Sequence, residues 1–138
     1  MIAHSDWKQD EVFEATTEDG KTVTLDGDSA HVHGPSPMQV VLMALCSCTS
    51  VDVVNILKKK RQDLTGLRVT AHATQAETSP RVFTRIKLTY AVRGRLSRKA
   101  VEDAVSLSKN KYCSVSKMLE KAATVDYEIT YPDGDPAP

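Results

Sequence analysis

The first third of the chain has the pattern of β-structure, with short runs of apolar and β-branched residues separated by turn residues. Two such runs, Val12–Thr17 and residues 21–25, flank Glu18-Asp19-Gly20, and Asp-Gly between strands is a strong hairpin signal. Residues 2–7 predict a further strand. This section is weakly apolar, and an isolated hairpin is marginally stable in water, so it needs another surface to cover it. The pattern is a first hint of subunit exchange or dimerisation.

A long apolar helix is predicted to follow. Ser36 and Pro37 suit the N-cap and first helical positions, and the helix is expected to run to about Arg61. Residues 38–57 are apolar almost all round, which predicts a helix buried between other elements. The basic residues 58–61 suit the negative end of the helix dipole, and we interpret them as a solvated helix end rather than a nucleic-acid-binding patch.

The second half of the chain predicts strands and shorter helices in turn. Residues 67–73 and 83–93 read as strands, with Ile86, Leu88, Tyr90 and Val92 on one face. Ser97 is expected to cap a helix whose buried stripe is Ala100, Val101, Ala104, Val105 and Leu107. A break at residues 109–111 precedes a short helix over 114–121 and a last strand over 125–131. The prediction is one α+β domain, residues 1–131, with helices packed on an antiparallel sheet and a disordered tail at 132–138.

Charge and composition narrow the function classes. The chain has 18 basic and 18 acidic residues and a net charge of zero, which does not favour nucleic acid or an anionic membrane as a partner. The longest uninterrupted apolar run, residues 40–46, is too short to span a bilayer. The N-terminus lacks the basic and apolar regions of a signal peptide, so we expect a cytoplasmic protein. Three cysteines, an odd number, favour free thiols or thiol catalysis over a disulfide framework.

Each cysteine taken alone favours a structural interpretation. Cys48 lies on the apolar helix, where a buried thiol is usually a small packing residue. Cys113 precedes a short helix, whose N-terminus is expected to lower the thiol pKa, although the residue could simply fill the N-cap. Cys46 is two residues from Cys48 and faces another side of the helix, so the two cannot share a site.

A metal site is the weakest interpretation of these residues. His31 and His33 could join Cys48 and Cys113 as ligands, but the spacing matches no common zinc pattern. We therefore predict neither a metal nor any other cofactor.

Three segments together resemble the OsmC/Ohr superfamily, named for osmotically inducible protein C and organic hydroperoxide resistance. They are residues 36–54, residues 80–86 and residues 111–119, and the resemblance extends over residues 7–131, closest to the YhfA-like branch. It implies an OsmC-like α+β fold with antiparallel sheets and two central helices, assembled as an intertwined homodimer. It also implies that Cys48 is the peroxidatic thiol, that Cys113 forms a disulfide with it, and that a lipoyl-type dithiol restores the pair.

The chain departs from the family at two expected positions. Characterised peroxidases of the family stabilise the thiolate with an arginine from the N-terminal strands, whereas this chain has no arginine before Arg61. The family also places a glutamate nine residues before the first cysteine, where this chain has Gln39, which we assign to substrate binding. The residues that could replace the missing charges are His33, Lys8, Lys21, and Arg81 or Arg85 of a partner subunit.

Two functions follow as hypotheses. The first is a peroxidase-like protein that reduces organic or lipid hydroperoxides through Cys48 and Cys113 in oxidative stress defence. The second is a non-catalytic module that binds a small apolar ligand between the central helices, with the cysteines as lining.

Overall fold

The computed structural model describes all 138 residues, which form six strands, three α-helices and one turn of π-helix. Two compact units divide the chain, residues 1–43 and residues 44–138. The elements, in chain order, are β1 (Ala3–Gln9), β2 (Val12–Thr17), β3 (Thr22–Asp26), α1 (Pro37–Lys59), β4 (Asp63–Gln75), β5 (Phe83–Arg95), α2 (Arg98–Leu107), the π-turn (Ser108–Tyr112), α3 (Ser114–Leu119) and β6 (Thr124–Thr130).

The first unit contains an antiparallel sheet in the order β1-β2-β3, so the predicted hairpin and its additional strand are confirmed. Gly20 adopts φ +86° in the connecting turn, a conformation that glycine reaches without strain. Every residue of β1 is exposed, including Trp7 at 68%. The sheet therefore leaves large apolar side chains uncovered within the chain.

The loop after β3 is organised around the buried carboxylate of Asp26. Its two oxygens accept hydrogen bonds from the backbone N–H groups of Asp28 (3.0 Å) and His33 (3.1 Å). These bonds, with a smaller contribution from the histidine charges, hold the pKa of Asp26 below its usual value. Gly34 is required in this loop, because a Cβ there would lie 2.3 Å from the carbonyl oxygen of Thr24.

The second unit contains a sheet in the order β4-β5-β6, which is mixed rather than wholly antiparallel. β4 and β5 pair antiparallel, but β6 runs parallel to β5 because α2, the π-turn and α3 carry the chain back across the sheet. The predicted inward face of β5 is confirmed, since each of its four residues is at most 2% exposed: Ile86, Leu88, Tyr90 and Val92.

The helices of the second unit follow the predicted caps with two corrections. Ser97 caps α2 by accepting from the backbone N–H of Ala100 (3.3 Å), as expected. Leu107, predicted to be buried, is 38% exposed because it lines an open groove beside α1. The predicted break at residues 109–111 is instead the π-turn, in which the backbone continues to hydrogen-bond.

Helix α1 begins at Pro37 as predicted and ends at Lys59, two residues before the predicted end, with Arg61 in the left-handed region at φ +55°. The prediction that α1 is buried on all sides is wrong for the single chain, in which one face of the helix is buried. Only every fourth residue from Leu45 to Leu57 is fully buried, while Met43 is 53% and Val51 is 60% exposed. By length and composition alone α1 could cross a membrane, a test that core helices of soluble proteins also pass.

The C-terminal segment contacts α2. The carbonyl of Ala137 accepts from the backbone N–H of Arg98 (2.7 Å), and the Arg98 guanidinium lies 3.4 Å from the carboxylate of Asp135. The mobility of residues 132–138 and the single-domain span 1–131 stay predictions.

Candidate functional site

The structure brings Cys48 and Cys113 together in the second unit. Cys48 lies on α1 and is partly exposed, whereas Cys113 is fully buried immediately before α3. The Cys48 thiol is close enough to that of Cys113 to change its protonation through both hydrogen bonding and charge. No disulfide joins the two sulfurs in this structure.

The π-turn sets the position of Cys113. The backbone N–H of Cys113 donates to the carbonyl of Ser108 at 2.8 Å, which spans five residues rather than the four of an α-helix. Cys113 then caps α3, because its Sγ accepts from the backbone N–H of Ser116 at 3.4 Å. A single turn of unusual geometry therefore links α2 to the cysteine.

Burial raises the pKa of the Cys113 thiol to about 12, and the neighbouring Cys48 and Asp52 add to the increase. The hydrogen bond from the Ser116 N–H acts in the opposite direction but is the weaker effect. The helix N-terminus therefore lowers this pKa as predicted, but burial outweighs that effect and the net pKa is raised. One N–H donor of a six-residue helix does not offset complete removal of the thiol from water.

A chain of hydrogen-bonded hydroxyls joins α1, β5 and the π-turn. Thr49 Oγ1 lies 2.7 Å from Tyr90 Oη and 2.7 Å from Ser108 Oγ, and Ser108 Oγ donates to Asp52 Oδ2 at 2.8 Å. An ionised carboxylate only accepts hydrogen bonds, so the Ser108 proton points to Asp52. Thr49 must then donate to Ser108, and Tyr90 must donate to Thr49, which orients the whole chain towards Asp52.

The members of this chain are buried except for Asp52. Thr49, Ser108 and Tyr90 are each 0% exposed, whereas Asp52 is partly exposed. Burial raises the pKa of Tyr90 to about 12, and the hydrogen bond with Thr49 opposes that shift. The phenol therefore keeps its proton at neutral pH and can serve as the first donor of the chain.

The sequence is similar to that of a known protein family. The family model described as "OsmC-like protein" matches residues 26–128. The chain belongs to the OsmC-like family. This OsmC-like protein is 42% identical over 132 residues to protein YhfA of Escherichia coli K12, an alignment that covers 94% of this chain and 98% of YhfA. The resemblance inferred from the cysteine motifs is thereby confirmed.

Solved structures confirm the α+β fold of the OsmC-like protein. A hypothetical protein from Aquifex aeolicus superposes with a TM-score of 0.81 at 30% identity, covering 94% of this chain and 96% of that one. The organic hydroperoxide resistance protein OhrB of Bacillus subtilis superposes with a TM-score of 0.62 at 17% identity, covering 94% and 98%. At that identity OhrB supports the fold alone.

Gln39, the third predicted site residue, lies in the first unit and caps α1. Its Oε1 accepts from the backbone N–H of Ser36 (2.8 Å), while Ser36 Oγ accepts from the backbone N–H of Gln39 (3.2 Å). This reciprocal pair is a capping box, which stabilises the helix start. The structure thus gives Gln39 a structural contact, and its role in substrate binding stays a prediction.

The remaining candidates take no part in the pair of thiols. Burial raises the pKa of Cys46, consistent with its predicted role in packing. His31 Nδ1 lies 3.1 Å from the carbonyl oxygen of Asp26, and no cluster of three or more His, Cys, Asp or Glu side chains forms a cation site. The structure therefore gives no support to a thiolate metal site.

Sequence reasoning missed Ser108, Thr49 and Tyr90. Thr49 carried a signal, because it is the one polar residue in the buried stripe of α1 formed by every fourth residue from Leu45 to Leu57. A polar side chain in such a stripe must find a hydrogen-bond partner. Nothing local identified Ser108, since its partners lie 59 and 56 residues away.

Beside the hydroxyl chain, a groove of about 580 Å³ runs along α1. Asp52 and Lys59 contribute charge to its wall, while Ile56, Leu107 and Tyr112 contribute apolar surface. The carboxylate at the end of the hydroxyl chain is thus open to solvent.

Proposed function

We propose that this OsmC-like protein is a cysteine-based peroxidase that reduces organic or lipid hydroperoxides in the cytoplasm, as part of oxidative stress defence. The observation that supports it is the juxtaposition of a partly exposed thiol, Cys48, with a fully buried one, Cys113. Membership of the OsmC-like family agrees with this chemistry.

The two thiols suit different steps. The Cys48 thiolate attacks one oxygen of ROOH, the O–O bond breaks, and the leaving alkoxide takes a proton, which gives Cys48 sulfenic acid and ROH. Cys113 is inaccessible, and its raised pKa makes it a poor first nucleophile. It instead condenses with the sulfenic acid and releases water. An external dithiol of the lipoyl type then reduces the disulfide by exchange.

The missing arginine bears on the rate of the first step. Three predicted substitutes already lie near carboxylates in this chain: Lys8 near Glu14 (3.6 Å), Lys21 near Asp19 (3.5 Å) and Arg85 near Asp126 (3.0 Å). Exposed ion pairs of this kind contribute little stability, so recruiting one cation to Cys48 would cost little. We expect a slower peroxidase than one with a dedicated arginine.

We also propose that the protein works as a homodimer. The apolar side chains of Val51 on α1 and Trp7 on β1 are 60% and 68% exposed, respectively. Exposed apolar surface on a helix this long is typical of a subunit interface. Sedimentation of the wild type and of Val51→Asp tests the proposal: a dimer that becomes a monomer supports it, and a monomeric wild type contradicts it.

The experiment for catalysis follows the thiols directly. Reduced protein is treated with one equivalent of cumene hydroperoxide, and the products are mapped by mass spectrometry. We expect a Cys48–Cys113 disulfide that dihydrolipoamide removes, peroxide consumption that Cys48→Ser abolishes, and a trappable sulfenic acid in Cys113→Ser. Cys46→Ser is the matched control and should behave as the wild type. Absence of the disulfide, together with unchanged peroxide consumption in Cys48→Ser, would refute the proposal.

The alternative is a binding module for a small apolar ligand. The groove favours it, because Ile56, Leu107 and Tyr112 give it apolar surface, and ligand sites combine apolar surface with placed polar groups. The polar groups of its wall belong to Asp52, Asn55, Lys59 and Lys60. The fluorescent probe anilinonaphthalene sulfonate should then bind the wild type and Cys48→Ser equally, and Leu107→Asp weakly. Loss of binding in Cys48→Ser would exclude this role.

A further inference from the structure

Ser108 contacts both the helix that carries Cys48 and the backbone of Cys113. Its hydroxyl bonds to Thr49 (2.7 Å) and Asp52 (2.8 Å), which lie one and four residues after Cys48 on α1. Its carbonyl accepts the backbone N–H of Cys113 at 2.8 Å. One residue therefore connects the helix of the first thiol to the turn of the second.

Ser108 provides the buried hydroxyl hydrogen bonds that link α1 to the segment from α2 to α3. The bond to Asp52 is charge-assisted, which makes it stronger than a bond between neutral groups. Ser108 is also 0% exposed, so water does not compete for its hydroxyl.

We propose that Ser108 is a positioning residue for disulfide formation, anchored by Asp52 and Thr49, and that it holds Cys113 within reach of Cys48. The inference rests on the proposed function, because disulfide formation is the step it serves. In that step the Cys113 sulfur bonds to the Cys48 sulfur, the S–O bond of the sulfenic acid breaks, and the Cys113 proton joins the departing hydroxide to give water. The hydroperoxide is the oxidant that formed the sulfenic acid.

We call the hydrogen bonds of the Ser108 hydroxyl to Thr49 and Asp52 the tether. Packing alone does not account for the tether. Burying a hydroxyl has a desolvation cost that hydrogen bonds merely offset, and apolar side chains of similar volume often stabilise as well or better. A polar link at this place does what apolar packing does not: it fixes the direction and distance of one backbone segment from another. Closing a disulfide depends on that geometry.

The effect of the tether can be tested without any hydroperoxide, by measuring the effective concentration of one thiol at the other. Protein is equilibrated with reduced and oxidised glutathione, and the fraction carrying the Cys48–Cys113 disulfide gives the effective concentration. We expect Ser108→Ala to lower it by at least about tenfold, a loss typical of misplaced reacting groups. Asp52→Ala, which removes one anchor, should lower it by about threefold or more, whereas Asp52→Asn keeps an acceptor for the hydroxyl and should stay closer to the wild type.

The matched control is Ser106→Ala on α2, whose hydroxyl accepts only from the Asn110 side chain (3.2 Å) and should leave the effective concentration unchanged. Wild-type values in both Ser108→Ala and Asp52→Ala overturn the proposal, as does an equal loss in Asp52→Asn and Asp52→Ala. If Ser108→Ala does not fold, the two Asp52 variants decide.

Different results would refute the proposed peroxidase function and the proposed role of Ser108. A wild type that forms the disulfide with glutathione but not with cumene hydroperoxide would refute the peroxidase and leave the tether intact. A wild type that reacts with hydroperoxide while Ser108→Ala closes its disulfide equally fast would refute the tether and leave the peroxidase intact.

Discussion

Replacing Thr49 with valine should expose how tightly the hydroxyl chain is coupled. Valine has almost the same shape, so the substitution removes the two 2.7 Å hydrogen bonds to Tyr90 and Ser108 without opening a cavity. Ser108 keeps its bond to Asp52, but the Tyr90 hydroxyl is left buried with no partner. An orphaned buried donor costs about 1–3 kcal/mol, so we expect Thr49→Val to lower the free energy of unfolding by that amount.

A double-mutant cycle with Tyr90→Phe measures the coupling free energy between Thr49 and Tyr90. Tyr90→Phe alone removes one hydrogen bond and leaves Thr49 bonded to Ser108, at a cost of about 0.5–1.5 kcal/mol. In the double variant no phenol remains to be orphaned. The two effects should therefore fall short of additivity by about 1 kcal/mol or more, because contacting partners couple.

Urea unfolding followed by far-ultraviolet circular dichroism is the assay, with reduced thiols and a fixed protein concentration so that association does not shift the values. Thr70→Val is the control, since Thr70 is exposed on β4 and should change stability by less than about 0.5 kcal/mol. Additive effects within error would refute the hydrogen-bond chain as the source of stability.

Three further predictions follow from the titrating groups and the caps. The raised pKa of Cys113 means that the unfolded state loses this proton first, so stability should fall from about pH 8.5 upwards, and titration of Cys113→Ser should lack that slope. The lowered pKa of Asp26 predicts the opposite pH dependence. Its contribution to the free energy of unfolding is present above about pH 3.9 and is lost as the pH falls through its pKa in the folded state. The stability deficit of Asp26→Asn should therefore shrink in acid. Ser36→Ala should lower the free energy of unfolding by about 0.5–2 kcal/mol, and Gln39→Ala by less, as measured by urea titration.

Local signals sufficed for much of the fold. The Asp19-Gly20 turn, the caps Ser36 and Ser97, and the period-2 face of β5 depend on residues close in sequence, and each was predicted. The parallel pairing of β6 with β5 was not, because it depends on the path of the 28 residues between them, Leu96–Ala123, across the sheet.

The candidate site was predicted less completely. Cys48 and Cys113 emerged as a pair from the family resemblance, whereas their own surroundings favoured packing. The net rise in the pKa of Cys113 was not predicted, because burial is a property of the assembled fold that a helix N-terminus in the sequence does not reveal. Ser108 escaped notice for the same reason, since its contacts are made by residues more than 50 positions away.

The π-turn separates two kinds of tolerance to mutation. The exposed side chain of Lys111 contacts the Tyr112 ring and takes no part in the hydroxyl chain, so its identity can vary at little cost. The length of the turn cannot: removing one residue between Ser108 and Cys113 would restore ordinary helical winding and rotate the sulfur by roughly 100° about the axis. Natural variation here should therefore appear as exchanges of residue type, with insertions and deletions confined to other loops.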